Sequence, residues 1–185
     1  MTFRFKALAL VAVLALALPV KAQALNIVAI GASNTSGWGV GEQNAYPALL
    51  QDLLRKKGID ARVTNAGRLG DVTAGMRNRL DEAVPKGTDI VILQPGANDL
   101  RFFGTKEART ANIAAMVQHL HGRGIRVIVY DPENIPRDFY QWDGIHFNAA
   151  AHATIAATLA AQIAAQAAKP QAATPSNATP PPKPQ

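Results

Sequence analysis

Leu25-Asn26-Ile27-Val28-Ala29-Ile30-Gly31-Ala32-Ser33-Asn34-Thr35 (25–35) is an apolar run that ends abruptly in a glycine and three small polar residues. Six residues without alternation, rich in β-branched side chains, read as a strand buried on both faces, which is the signature of a parallel sheet. Ser33 then falls where such a strand turns into the next element. In an open α/β sheet the carboxyl ends of the strands carry the ligand site, so Ser33 is a candidate functional residue.

Outward from this stretch the pattern repeats. Val63-Thr64-Asn65-Ala66-Gly67 reads as a second strand, Asp89–Gln94 (DIVILQ) as a third, running into Pro95-Gly96-Ala97-Asn98-Asp99, and Ile125–Tyr130 (IRVIVY) as a fourth. Between them lie helical patterns: Ala45–Lys57 with Leu49, Leu50, Leu53 and Leu54, Ala108–Arg123 with Ile113, Met116, Val117 and Leu120, and Ala149–Ala167 with Ile155, Leu159 and Ile163 four residues apart. Strand and helix in alternation predict a three-layer α/β/α sandwich around a parallel, flavodoxin-like sheet with right-handed crossovers. The segment 25–168 is one domain's worth of chain.

A carboxylate three residues before a histidine occurs once in a telling place, Asp143-Gly144-Ile145-His146. Such a carboxylate can hold the imidazole by Nδ1 and leave Nε2 free to take a proton from a serine. With Ser33, a backbone amide beside Gly67 and the carboxamide of Asn98 at strand ends, the pattern suggests a nucleophile, a base and oxyanion donors.

The four blocks GASNTSG (31–37), NAGRLGDVTAG (65–75), GAND (96–99) and DGIH (143–146), in that order, resemble those of the SGNH (GDSL-type) hydrolase superfamily, nearest in pattern to its periplasmic thioesterases and arylesterases. The resemblance covers about Leu25–Gln166 and implies the SGNH hydrolase fold and a serine hydrolase acting on esters or thioesters through an acyl-enzyme. It makes Ser33 the nucleophile, His146 the base, Asp143 its orienter, and the Ser33 amide, Gly67 and Asn98 the oxyanion hole. Two departures stand out. The family's first block usually has aspartate before the serine and leucine after it, whereas this chain has Ala32 and Asn34. The thioesterases also place a helix and a fifth strand between the fourth strand and the DGIH loop, where this chain has only Asp131–Trp142. Twelve extended residues span up to about 40 Å, enough to reach the sheet edge but not to add both elements, so four main strands are expected. Phe102, Phe103, Tyr140 and Trp142 are expected to line a substrate pocket, aromatic lids over the core being the alternative reading.

Two readings from other classes remain open at this point. Ser33–Gly37 between strand and helix could cradle a phosphate or flavin in a flavodoxin-like module, and Ala32 with the short 131–142 segment would suit a non-catalytic member that has kept the fold. No cluster of His, Asp or Glu has metal-ligand spacing, so no metal or other cofactor is expected.

The ends of the chain read differently from its middle. Arg4 and Lys6 precede an apolar run from Ala7 to Val20 and an Ala22-Gln23-Ala24 cleavage pattern, so residues 1–24 read as a secretory signal and imply a periplasmic or secreted protein, an uncleaved anchor being the alternative. After cleavage no membrane span is expected. Residues 169–185 (KPQAATPSNATPPPKPQ) are proline-rich without apolar period and read as a disordered tail. The formal charge of +6 falls to +3 without Arg4, Lys6 and Lys21, and to +1 without Lys169 and Lys183. No basic stripe survives in 25–168, which argues against nucleic acid as a partner; the partner that the resemblance implies is a small ester or thioester. With no cysteine in the chain, disulfides are excluded.

Overall fold

The computed structural model describes residues 24–131 and 135–167, apart from the Phe103 side chain. The expected signal segment, except Ala24, and the tail at 169–185 lie outside the described residues. Four strands form one parallel sheet: β1 (Leu25–Gly31), β2 (Ala61–Gly67), β3 (Ile90–Gln94) and β4 (Arg126–Val129), in the order β2-β1-β3-β4. The four-stranded α/β sandwich expected from the sequence is thus present. Six helices surround it: α1 (Ser33–Ser36), α2 (Tyr46–Lys56), α3 (Thr73–Asn78), α4 (Leu80–Ala83), α5 (Lys106–Gly122) and α6 (Ala149–Ala167).

Two apolar layers explain why the strands carry no polar alternation. Ile27 and Ala29 of β1 and Ile90 and Ile92 of β3 face the α2/α6 side, where they meet Leu50, Leu54, Ile155, Leu159 and Ile163. Their neighbours Val28, Ile30, Val91 and Leu93 face the other side, against Met76 of α3, Leu80 of α4 and Met116 and Leu120 of α5. Side chains alternate between faces along a strand, and both faces are covered, so every residue of β3 is buried. The alanines Ala151, Ala156 and Ala160 are buried on α6, which packs against α2.

The register positions the site. Gly31 pairs with Gly67 on one side and with Gln94 on the other, so three strands end at one level and deliver their following residues to one edge. Helix α5 begins two residues earlier than its apolar period suggests, because the Thr105 hydroxyl accepts a hydrogen bond from Ala108 N–H (3.1 Å) and caps it. The short link after β4 holds a 3-10 turn at Arg137–Phe139 and an isolated antiparallel bridge between Tyr140 and Phe147. Asn148 then caps α6 by accepting from Ala151 N–H (3.1 Å).

One buried group on the α2/α6 side titrates. His152 is fully buried, its Nδ1 accepts from Tyr46 N–H (3.2 Å), and its Nε2 has no partner among the described residues. Burial pushes its imidazole down to about 4 from an ordinary 6.5. The unfolded chain therefore binds a proton that the folded chain refuses between these values. No penalty exists above pH 6.5, and one grows as the pH falls, levelling off near 4. Urea unfolding should lose about 1 kcal/mol per pH unit through this window, a slope that His152→Gln abolishes. A mutant with the wild-type slope would assign the acid sensitivity to other groups.

Candidate active site

Ser33 opens the single turn α1 directly after β1. As its first residue it spends no backbone N–H inside the turn, and that N–H has no partner among the described residues. Its carbonyl is occupied by Gly37 N–H, Trp38 N–H and the Ser36 hydroxyl (3.1, 3.1 and 2.9 Å). Thr35 donates its hydroxyl to Gln94 Oε1 (2.6 Å) at the end of β3, so the turn is pinned to the sheet from behind. Two glycines make this approach possible. A Cβ on Gly31 would collide with Thr35 and with the Gln94 carbonyl, and one on Gly67 with the backbone of Thr35 and Ser36.

Gly67 is therefore a packing glycine, and its N–H donates to Asn65 Oδ1 (3.0 Å). The expectation that this amide faces an oxyanion meets an N–H that already has an acceptor. Three residues on, Gly70 adopts φ +74° and its N–H has no partner among the described residues. Asn98 reaches the same loop, donating through Nδ2 to the Asp71 carbonyl (2.8 Å). An amide nitrogen carries two hydrogens, so one remains for another acceptor.

Arg79 joins these parts. Buried to all but 8 %, it donates through Nε to Asp71 Oδ2 (2.8 Å) and through Nη2 to the Gly31 carbonyl (3.1 Å). Asp99, also buried, accepts from the N–H and hydroxyl of Thr73 at the start of α3. This gives the last residue of the GAND block a structural task. On the far side, Arg109 of α5 clamps the Gly96 carbonyl (3.1 and 2.9 Å) and pairs with Asp131 (2.7 Å).

The base-bearing loop is organised by its own carboxylate. Asp143 Oδ1 accepts from Ile145 N–H (2.9 Å) and His146 N–H (3.0 Å), while Oδ2 pairs with His146 Nδ1 (2.6 Å). Gly144, at φ +65°, makes the tight turn. The His146 backbone N–H, then its ring and the Ile145 N–H, hold the Asp143 carboxyl at about 2, so it stays ionised. An ionised carboxylate only accepts, which assigns the shared hydrogen to Nδ1, and in the neutral ring this leaves Nε2 with the lone pair. Nε2 bonds to no described residue, and neither does Ser33 Oγ; no Ser33–His146 hydrogen bond is formed. The Trp38 ring lies beside the imidazole, centroids 5.9 Å apart.

A cavity of about 410 Å³ opens at this edge, lined among others by Ser33, Asn98, Tyr130, Tyr140, Ile145 and Phe147. Of the aromatics expected there, Tyr140 lines it. Trp142 is 97 % exposed and Phe102 59 %, and neither is in the lining, while the Phe103 side chain lies outside the described residues. Tyr130 and Phe147 supply the aromatic surface instead. Exposed apolar side chains also ring the edge on four different strand-end loops: Trp38, Leu69, Leu100 with Phe102, and Trp142. Among the described residues no group of three or more acidic, histidine or cysteine side chains could hold a metal ion, and no helix is long and apolar enough to cross a membrane.

The model of the GDSL-like lipase/acylhydrolase family matches residues 29–174. An arylesterase of Vibrio mimicus is 32% identical over 105 residues, 56% of this chain and 52% of that protein. Esterase TesA of Pseudomonas aeruginosa is 32% identical over 111 residues, 59% of this chain and 55% of that protein. The chain thus spans about half the length of the curated relatives it matches. In fold it is similar to the crystal structure of TesA, with a TM-score of 0.66 at 22% identity, covering 72% of this chain and 95% of that one. The psychrotrophic esterase EstA of Pseudoalteromonas, solved with monoethylphosphonate as inhibitor, gives 0.66 at 20% identity, covering 78% and 99%.

Proposed function

The chain belongs to the GDSL-like lipase/acylhydrolase family, and from that premise we propose that it is a serine esterase that hydrolyses carboxylic esters, thioesters included, through an acyl-enzyme. One observation supports the reading: the Asp143–His146 pair has Nδ1 held and Nε2 bare, and the residues on either side of His146, Ile145 and Phe147, line the same cavity as Ser33 and Asn98. His146 takes the Ser33 proton as Oγ adds to the carbonyl carbon. It then returns that proton to the leaving alcohol or thiol as the tetrahedral intermediate collapses to the acyl-enzyme. Water, deprotonated by His146, releases the acid in the second half.

The developing oxyanion is stabilised by the Ser33 N–H and the spare Asn98 hydrogen. For the third donor Gly70 suits better than Gly67, since its N–H is uncommitted and it adjoins Asp71, on whose carbonyl Asn98 hangs. Removing one preorganised donor costs on the order of 3 kcal/mol, about a hundredfold in rate. Asn98→Ala should therefore lower kcat by about that factor with KM little changed. A variant retaining more than a third of wild-type kcat would take Asn98 out of the oxyanion site.

The substrates that fit are esters with a small acyl or aryl group, because the cavity is modest in volume and lined by Tyr130, Tyr140 and Phe147. Export to the periplasm or medium is part of the same proposal and rests on Arg4, Lys6 and the apolar run to Val20. A non-catalytic role draws on the unformed Ser33–His146 bond, although such bonds commonly tighten only with substrate. Hydrolysis of p-nitrophenyl acetate, butyrate and octanoate by the full chain, with Ser33→Ala as blank, decides between them. Turnover above the blank supports the esterase, and turnover equal to it on every ester the non-catalytic protein.

A further inference from the structure

The turn that carries Ser33 and the loop that carries His146 lie more than a hundred residues apart in the chain, and no backbone ladder connects them. Carboxamides do. Asn34, the residue after Ser33, accepts from Phe147 N–H through Oδ1 (2.9 Å) and donates through Nδ2 to the Ile145 carbonyl (3.4 Å). Its two partners are the residues immediately before and after His146. From the loop side, Gln141 donates its N–H to the His146 carbonyl (2.7 Å) and its Nε2 to the carbonyls of Trp38 (2.8 Å) and Phe147 (2.9 Å).

We propose that Asn34 is a positioning residue that sets the reach of His146 Nε2 to Ser33 Oγ by clasping the peptide units on both sides of the histidine; the functional part of this rests on the esterase reading above. The geometry is economical. One planar amide matches one acceptor and one donor of the loop, so it fixes both the distance and the rotation of the base about the nucleophile turn. The leucine usual at this place in the resembled family offers neither bond. In this chain the link between β4 and the DGIH loop is short and, among its described residues, holds only a 3-10 turn, and the loop is tied to the Ser33 turn by such side-chain bonds. The departure at position 34 is thereby part of how this version of the site is assembled.

Asn34→Leu removes both bonds while keeping the branched shape and the number of side-chain heavy atoms, Asn34→Ala removes them without bulk, and Asn34→Asp keeps the acceptor facing Phe147 N–H. Two readouts are taken on the full chain. Amide hydrogen exchange at Phe147 reports the clasp whether or not the protein turns over ester. It should quicken at least tenfold in the Leu and Ala variants and stay near wild type in Asp, with melting temperatures little altered. Steady-state hydrolysis of p-nitrophenyl acetate reports the consequence. Misplacement of a base by about 1 Å costs up to about a hundredfold, so kcat should fall about tenfold to a hundredfold in Leu and Ala with KM within twofold, and Asp should recover most of it. Unchanged exchange in both Leu and Ala would overturn the clasp. Quickened exchange with kcat within threefold of wild type would overturn its positioning role. Absence of wild-type turnover above Ser33→Ala, with Phe147 still protected through Asn34, would instead overturn the esterase reading and leave Asn34 a purely structural clasp.

Discussion

Ser33→Ala is expected to lower kcat on p-nitrophenyl acetate by about 10⁴- to 10⁶-fold, the range seen when a triad nucleophile is removed. On the proposed mechanism no acyl-enzyme can form without Oγ, and what should remain is the catalysis that oxyanion donors and binding give to direct attack by water. The loss is purely chemical, because Oγ bonds to no described residue and the turn is held by the Ser33 carbonyl and by Thr35. Circular dichroism and the melting temperature should therefore match wild type. The sharpest check is labelling: an alkylphosphonate p-nitrophenyl ester should add one phosphonyl group to the peptide containing Ser33 and none to the Ala variant. Adduct elsewhere, or a variant keeping more than a hundredth of the activity, would remove Ser33 from the nucleophile's role.

Asp143→Asn should be nearly as damaging, about 10⁴-fold in kcat, and for a reason read from the loop. Asp143 Oδ1 accepts two backbone hydrogens, from Ile145 and His146. In an asparagine the carbonyl oxygen takes that place, which turns the amino group toward His146 Nδ1. A donor there forces the ring hydrogen onto Nε2, and a protonated Nε2 cannot accept from Ser33. The loop keeps its shape while the base loses its lone pair, so kcat falls without a matching loss of stability. A fall of less than tenfold would show that His146 finds its tautomer without Asp143.

How much of this was legible in the sequence depends on the range of the interaction. Strands β1 and β3 stood out because both of their faces are covered, which leaves an uninterrupted apolar run bounded by polar turns. Their ends place Ser33, Asn98 and the 65–75 block on one edge. The Asp143–His146 pair was equally visible, because a three-residue spacing is local. Helix α5 hid its first turn, since Lys106 and Glu107 carry no apolar signal and the hydroxyl of Thr105 sets the start. The choice between Gly67 and Gly70 depends on where the Asn65 side chain folds, which glycine spacing does not encode. Exposure of Trp142 and Phe102, and burial of Phe147 against Tyr140, depend on packing between segments distant in the chain, which local spacing does not encode. Asn34 looked only like a departure from a family pattern, because both of its partners are more than a hundred residues away.

Arg79 has a consequence for how the site behaves when the protein moves. Its guanidinium touches the carbonyl at the end of β1 and the carboxylate of Asp71, whose own carbonyl carries the Asn98 amide. The proposed nucleophile and oxyanion donor are thus tied to one rigid planar cation instead of to separate loops. When the surrounding loops fluctuate, this shared cation should carry the two together, so that the gap between the Ser33 hydroxyl and the Asn98 amide is expected to change less than the displacement of either.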